Sequence, residues 1–325
     1  MAIPLSILDL TVIPQGKSAA EALSTSVELA RLAERVGYKR IWYAEHHNNA
    51  RIASSVPAVM IAHVAAHTEK IRLGSGGVML PNHSPLVVAE QYGLLETLHP
   101  GRIDLALGRA PGTDHATTRA LRRFPDSAER FPDDVLELQG YLSGKSRINA
   151  VEATPGRATN VPLYILGSSL FGAQLAAHFG LPYAFASQFA PDSLIEAVAT
   201  YRREFQPSEH LAEPYVIAGV NVIAADTRAD AQQQLLAAQR GLVSALQRNG
   251  RPIPDEEADA ILASPGGFQI RHLLTYTALG TPTEVKEYLE TFARHGQIDE
   301  LMTVHQSPDA CTRLRSVELL AQAML

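Results

Sequence analysis

Eight short apolar runs, each followed by a stretch of helical period, recur along the chain, and this alternation constrains the fold more than any single motif. The runs fall at residues 3–10, 39–44, 71–76, 102–108, 162–166, 183–187, 215–224 and 298–304. They are short and nearly continuous in apolar residues, as parallel strands buried on both faces must be. The segments between them carry apolar residues at helical spacing. Residues 19–36 are the clearest case, with Ala22, Val27, Ala30, Leu32, Ala33 and Val36 in phase and Gly37 as a stop. Further helices are expected at 56–67, 85–98, 132–143, 169–180, 191–205, 227–248 and from about 308. Thr281-Pro282-Thr283-Glu284 combines an N-cap, a proline at the first helical position and a capping-box acid. Residues 110–130 read as irregular, and 249–280, holding Pro252, Pro254, Pro265, Gly266 and Gly267, as an insertion or mobile lid before the eighth strand.

Eight such units without a break predict one α/β domain over residues 1–325, a (β/α)8 TIM barrel with an insertion before strand eight. A doubly wound open sheet is the competing closure. In either fold the strand C-termini open on one rim, where side chains and helix N-termini converge. Composition narrows the function. A net charge of −6 gives no electrostatic case for nucleic acid. The single Cys311 rules out an internal disulfide and fits a reducing compartment. No signal peptide or membrane-spanning run is recognisable, so a cytoplasmic enzyme or binding protein acting on small molecules is expected.

Four segments fall just past predicted strands. Glu45-His46-His47 offers acid/base groups or metal ligands, although adjacent side chains diverge and no His-x-His pair is present. The bland reading is a histidine that caps a helix or bonds a carbonyl. Gly74-Ser75-Gly76-Gly77 allows backbone to approach a flat ligand, or simply forms a bulge at a barrel rim. Arg109, in Gly108-Arg109-Ala110-Pro111-Gly112, suits a phosphate or a structural ion pair. Ser168 and Ser169 precede a helix whose free amides could hold an anion, though serine is an ordinary N-cap. Arg109 and these serines together make a plausible phosphate clamp. Arg119, Arg122 and Arg123 read as a solvated face or as a cover for phosphate.

These segments carry a family likeness. Tyr43-Ala44-Glu45-His46-His47, Gly74-Ser75-Gly76-Gly77-Val78-Met79-Leu80-Pro81, Gly101-Arg102-Ile103-Asp104-Leu105-Ala106-Leu107-Gly108-Arg109 and Phe179-Gly180-Leu181-Pro182 resemble the bacterial luciferase-like flavin monooxygenases. With Gly280-Thr281-Pro282 the likeness covers essentially the whole chain, and Gly108 through Asp114 looks like the non-luminous subgroup. The resemblance implies FMN, in its reduced form, at the C-terminal mouth, and often a homodimer through the early helices. It implies that His46 is the active-site histidine, with Glu45 beside it in the catalytic set. Gly76-Gly77 would carry a non-prolyl cis peptide against the isoalloxazine, while Arg109, Ser168 and Ser169 would hold phosphate. Asp9, Ser54 and Ser55 would line the substrate side, and no metal is expected. Ser168 departs from the light-emitting enzymes, which carry an acid there; their second phosphate arginine has no clear counterpart, and Arg119, Arg122, Arg123 or Arg130 could substitute.

The leading expectation is therefore a monooxygenase that takes reduced FMN from an NAD(P)H:flavin reductase and uses dioxygen on a small organic substrate, with 249–280 as the lid. Hydride transfer with a deazaflavin is the alternative within the family. A non-catalytic flavin-binding protein is the alternative outside it.

Overall fold

A computed structural model describes residues 3–110, 112–248 and 253–325. Pro111 and residues 249–252, which belong to the expected rim motif and insertion, lie outside the described residues. The first half of the chain runs β1 (Leu5–Asp9), α1 (Ala19–Val36), β2 (Arg40–Tyr43), α2 (Pro57–Ala65), β3 (Arg72–Met79), α3 (Pro85–Leu98), β4 (Ile103–Gly108), α4 (His115–Ala120) and α5 (Phe131–Ser143). The second half runs β5 (Leu163–Gly167), α6 (Leu170–Phe179), β6 (Tyr183–Phe185), α7 (Leu194–Glu204), β7 (Val216–Ala224), α8 (Arg228–Arg248), α9 (Asp255–Ala263), α10 (Gly267–Leu273), β8 (Thr277–Gly280), α11 (Pro282–Gly296), β9 (Glu300–His305) and α12 (Ala310–Met324).

All pairings between these named strands are parallel. β1 to β7 pair in chain order, β7 pairs with β9, and β9 returns to β1, which closes an eight-stranded barrel. The ninth strand, β8, stands outside it. β9 occupies one edge of β7, so β6 and β8 share the other. The three-residue β6 takes Val216–Ala218, and β8 takes Asn221–Ala224.

The expected barrel is present, and its eighth wall strand is β9. Sequence reading missed β8, which has four residues with only every second one buried. The described part of 249–280 is otherwise helical, as α9 and α10. The irregular 110–130 contains the short α4 and a 3-10 turn at Pro125–Arg130.

Capping fixes the helix boundaries. At α1 the Ser18 hydroxyl accepts from the Glu21 N–H at 3.2 Å, while the Glu21 carboxylate accepts from the Ser18 N–H at 2.8 Å. Gly37 ends that helix at φ 96°, a left-handed turn that favours glycine. At α11 the Thr281 N–H and hydroxyl both donate to the Glu284 carboxylate, at 2.9 and 3.0 Å.

Strand period sets the barrel interior. Its floor, at the strand N-termini, is a charged layer in which buried Arg40 reaches Asp104 at 2.7 Å and Glu300 at 2.8 Å. Arg72 and Tyr164 join on the Asp104 side, Lys39, Tyr215 and Ser6 on the Glu300 side. Against the cost of burial, Asp104 and Glu300 hold the Arg40 guanidinium above its ordinary pKa. Above it lies an apolar layer of Leu8, Trp42, Ala106, Tyr164, Ile217, Met302 and Val304. Trp42 meets Tyr164 edge-on at 5.0 Å between ring centroids. A Cβ added to Gly74 would come within 2.7 Å of Trp42 Cδ1 and of Asp104 Cβ, so the large indole requires a residue without a side chain beside it. A second, larger core fills the space between the barrel and its outer helices. Among the described residues no helix is long and apolar enough to cross a membrane.

Candidate active site

The β2 chain leaves the barrel at Ala44, which still packs in the interior cluster. Glu45 follows, fully buried, and both of its carboxylate oxygens are engaged. Oε1 lies 2.9 Å from His47 Nε2 and 2.8 Å from His83 Nε2, while Oε2 accepts the Met79 N–H at 3.1 Å. Burial works to raise its pKa, but the bonds from His83, His47 and the Met79 amide outweigh this and hold it below the usual carboxylate value. Glu45 therefore ties the end of β2 to the end of β3 and to the turn beyond it. Sequence reading paired Glu45 with His46 and did not include His83.

The signal for His83 was available: β2 and β3 are neighbours in the barrel, so the loops that follow them meet at the rim. Glu45, His47 and His83 bring ligand-type atoms within 4.8 Å of one another. Two histidines and a carboxylate are a donor set that transition metals use. Here the hydrogen bonds to Glu45 already account for the arrangement.

His46 is half-buried. Its main-chain N–H donates to the Ser54 carbonyl at 3.1 Å, which folds the following loop back over the strand end. Burial lowers the imidazole pKa, and a bond to the Gly112 backbone and the charge of Glu45 only partly oppose that, so the ring is neutral at pH 7. Ser54 is buried and spends its hydroxyl on the Ala44 carbonyl; Ser55 is partly exposed.

Asp9, expected on the substrate side, has other partners. Its Oδ1 accepts the Thr11 N–H at 2.8 Å and Arg313 Nη2 at 2.9 Å, and its Oδ2 accepts the Ser26 hydroxyl. Ser26 lies on α1 and Arg313 on α12, so the carboxylate faces the outer helices. The reason is strand period: Leu8 points into the barrel, so Ile7 and Asp9 point away from it.

The Gly76–Gly77 peptide is cis, and the register between β3 and β4 slips between Gly76 and Val78. A Cβ on Gly76 would lie 2.6 Å from Leu8 Cδ1, and one on Gly77 2.7 Å from the Ala106 carbonyl oxygen. The glycines thus serve close packing in the barrel as well as leaving bare backbone at the rim.

β4 and β5 pair from Leu105–Leu163 to Gly108–Leu166, so Arg109 and Gly167-Ser168 emerge side by side. Arg109 is exposed, with its guanidinium carbon 4.1 Å from the Phe171 ring centroid, at the first turn of α6. Ser169 is the N-cap of that helix and makes no side-chain cap bond. A cation, an unspent hydroxyl and free amides at a helix start together make an anion cradle. Of the four downstream arginines, Arg123 is tied to the rim, donating from Nε to the Asn82 carbonyl at 3.0 Å. Two clefts lie elsewhere, about 450 Å³ at the barrel floor beside Tyr164 and Tyr215 and about 480 Å³ between α7 and α11 beside Tyr276 and Tyr288.

Comparison with known proteins bears on these groups. Residues 3–297 match the model of the luciferase-like monooxygenase family. A luciferase-like monooxygenase of Escherichia coli K12 is 46% identical, covering 98% of this chain and 96% of its own. The N-acetyl-S-alkylcysteine monooxygenase of Bacillus subtilis is 34% identical, covering 99% and 98%. The crystal structure of apo-MsnO8 superposes with a TM-score of 0.88 at 35% identity, covering 99% and 98%. Two more distant structures share the fold: a type II Baeyer–Villiger monooxygenase component in complex with FMN, from a plasmid of Pseudomonas putida (TM-score 0.75, 15% identity, covering 100% and 98%), and an F420-dependent secondary alcohol dehydrogenase (0.73, 16%, covering 99% and 98%).

Proposed function

Because this chain belongs to the luciferase-like monooxygenase family, we propose that it is a two-component oxygenase, working in the cytoplasm, that binds reduced FMN at the C-terminal rim and oxygenates a small organic substrate with dioxygen. The observation that carries the reading is one rim holding a neutral half-buried imidazole, a cis diglycine and an anion cradle. The FMN phosphate fits the cradle of Arg109, Ser168 and Ser169, since Ser169 lacks a cap bond and Arg109 rests on a ring and not on an acid. Bound reduced flavin supplies the electrons with which dioxygen is activated.

The protein's own groups do the rest. His46, neutral at pH 7, takes a proton at its imidazole during turnover and returns it. Glu45 is a positioning residue that fixes His47 and His83 and, through the Met79 amide, the end of β3. Gly76 and Gly77 give the flavin ring bare backbone to lie against. α8 and the segment after it, α9 and α10, exclude water from the mouth. Ser55 remains the serine with room to meet substrate. The relative named for N-acetyl-S-alkylcysteines makes alkyl thioethers the first substrates to try.

The reductase is a separate protein, and the oxygenase pairs with a second copy through α2 and α3. Val59 is 67% exposed there and Leu98 60%, with Val56, Val87 and Leu94 beside them. The F420-dependent fold relative supports the deazaflavin alternative. Measuring binding of reduced FMN, oxidised FMN and F420 separates the two. Oxygen uptake with reduced FMN is then compared for wild type and His46→Ala. FMN affinity should hold while turnover falls at least ~100-fold, the low end for general acid–base catalysis. Equal turnover in the variant refutes the role of His46, and preference for F420 refutes the oxygenase.

A further inference from the structure

The partly buried arginines of this protein are, with few exceptions, paired with acids. Arg40 has Asp104 and Glu300, Arg72 has Asp104, Arg202 has Asp299, Arg240 has Asp255 and Asp259, and Arg313 has Asp9. Arg102 has no such pair but spends Nε, Nη1 and Nη2 on the Ile71 and Thr68 carbonyls and the Thr68 hydroxyl.

Arg51, in the loop after β2, differs. Its side chain makes one hydrogen bond among the described residues, from Nη1 to the Gly241 carbonyl at 2.8 Å, and no ion pair. Nε and Nη2 have no acceptor among those residues. Burial lowers its pKa and no neighbouring charge opposes this. A guanidinium taken partly out of water without an anion is a costly arrangement, unless an anion arrives.

Its place in the fold says which anion. The Arg51 carbonyl accepts the Ile13 N–H at 2.7 Å and its N–H donates to Asn49 Oδ1 at 2.9 Å, so the backbone is held from both sides. Three residues on, Ser54 bonds the His46 amide. α8 starts past the end of β7, meets Ser307 beyond β9 through Gln234 at 3.1 Å, and reaches Arg51 at Gly241. The helix thus crosses the rim from β7 to the β2 loop, and Arg51 lies beneath it. The phosphate cradle belongs to β4 and β5, two strands away.

We propose that Arg51 binds an anionic group of the substrate, so that the enzyme acts on small organic acids, carboxylates first. This rests on the oxygenase reading only for what happens to the acid once bound. A carboxylate can accept from Nε and Nη2 together, a paired geometry that suits guanidinium, and anchoring there places the remainder of the molecule on the side of His46.

The test is calorimetric binding of matched acids and primary amides in three skeletons: N-acetyl-S-benzylcysteine, phenylacetate and octanoate, each against its amide. It is run on flavin-free and FMN-loaded protein. Wild type should bind at least one acid roughly tenfold or more tighter than its amide, as a hydrogen-bonded charge warrants. Arg51→Gln, which can still donate to the Gly241 carbonyl, should bring that ratio near one, and Arg51→Lys should keep part of it. An unchanged ratio in Arg51→Gln overturns the proposal, as does the failure of every acid to bind wild type. FMN and riboflavin are titrated alongside: a lost preference for FMN in Arg51→Gln reassigns the residue to the flavin phosphate and overturns the substrate role. An intact acid preference in a protein that consumes no oxygen would refute the oxygenase reading alone.

Discussion

His305 gives a stability prediction that can be worked from its surroundings. It sits fully enclosed on β9, with Nδ1 2.8 Å from the Ser316 hydroxyl and Nε2 3.3 Å from the Thr303 hydroxyl. Ser316 already accepts the Ala224 N–H, so its own proton is free to bond a neutral ring. The charge that acts on the ring is that of Arg313, which is itself paired with Asp9. Burial first, and the Arg313 charge second, lower the His305 pKa from 6.5 to about 3.

The unfolded chain takes up a proton below pH 6.5 that the folded protein refuses, so stability is full above that pH and falls as acid is added. The loss is about 1.4 kcal/mol per pH unit, or about 5 kcal/mol over the whole window down to the folded value. Urea unfolding of wild type and His305→Gln, followed by circular dichroism at pH 7 and pH 5, isolates this contribution because the glutamine does not titrate. Wild type should lose about 2 kcal/mol more than the variant between the two conditions. Parallel losses would refute the claim that the ring is held neutral, whatever the absolute stabilities.

Two further outcomes follow from the site and the core. Glu45→Gln leaves at least one of three partly buried donors facing an amide N–H, which should cost about 1–3 kcal/mol in urea unfolding near neutral pH. Because the folded-state pKa of Glu45 is lowered, its contribution exists above the ordinary carboxylate range, and the gap between the two proteins should close as pH falls through the lowered value. Gly74→Ala drives a methyl against Trp42 and Asp104 and should cost about 1–3 kcal/mol, as overpacking does. Trp42 is the sole tryptophan, so an unaltered emission spectrum together with unaltered stability would mean that the indole is not wedged there.

The wall of the barrel was legible because most of its strands are short runs dominated by apolar residues, and α11 because its cap residues are consecutive. β8 was not, since four residues beside a proline- and glycine-rich stretch carry no period long enough to recognise. At the rim, residue types identified Glu45, His46 and Arg109 as notable but could not say which way each faces. Asp9 shows why orientation matters: the alternation that makes β1 a strand also turns that carboxylate outward, so its sequence position next to the mouth misleads. His83 and Arg313 were passed over because their partners lie 38 and 304 positions away. Closure of the barrel, not local pattern, brings such pairs together.

The truncated β6 has a consequence for how such a barrel diversifies. It leaves half of one flank of β7 open, and β8 docks there, so the polypeptide departs from β7 and comes back to the same strand before α11. The whole excursion from Ala225 to Tyr276 is a cassette with both hinges on one stave. Exchanging it for a longer, shorter or differently shaped cap would leave the hydrogen-bonded ring beneath in register. Recruitment of new chemistry on this frame then requires only local replacement, not a redesigned cylinder.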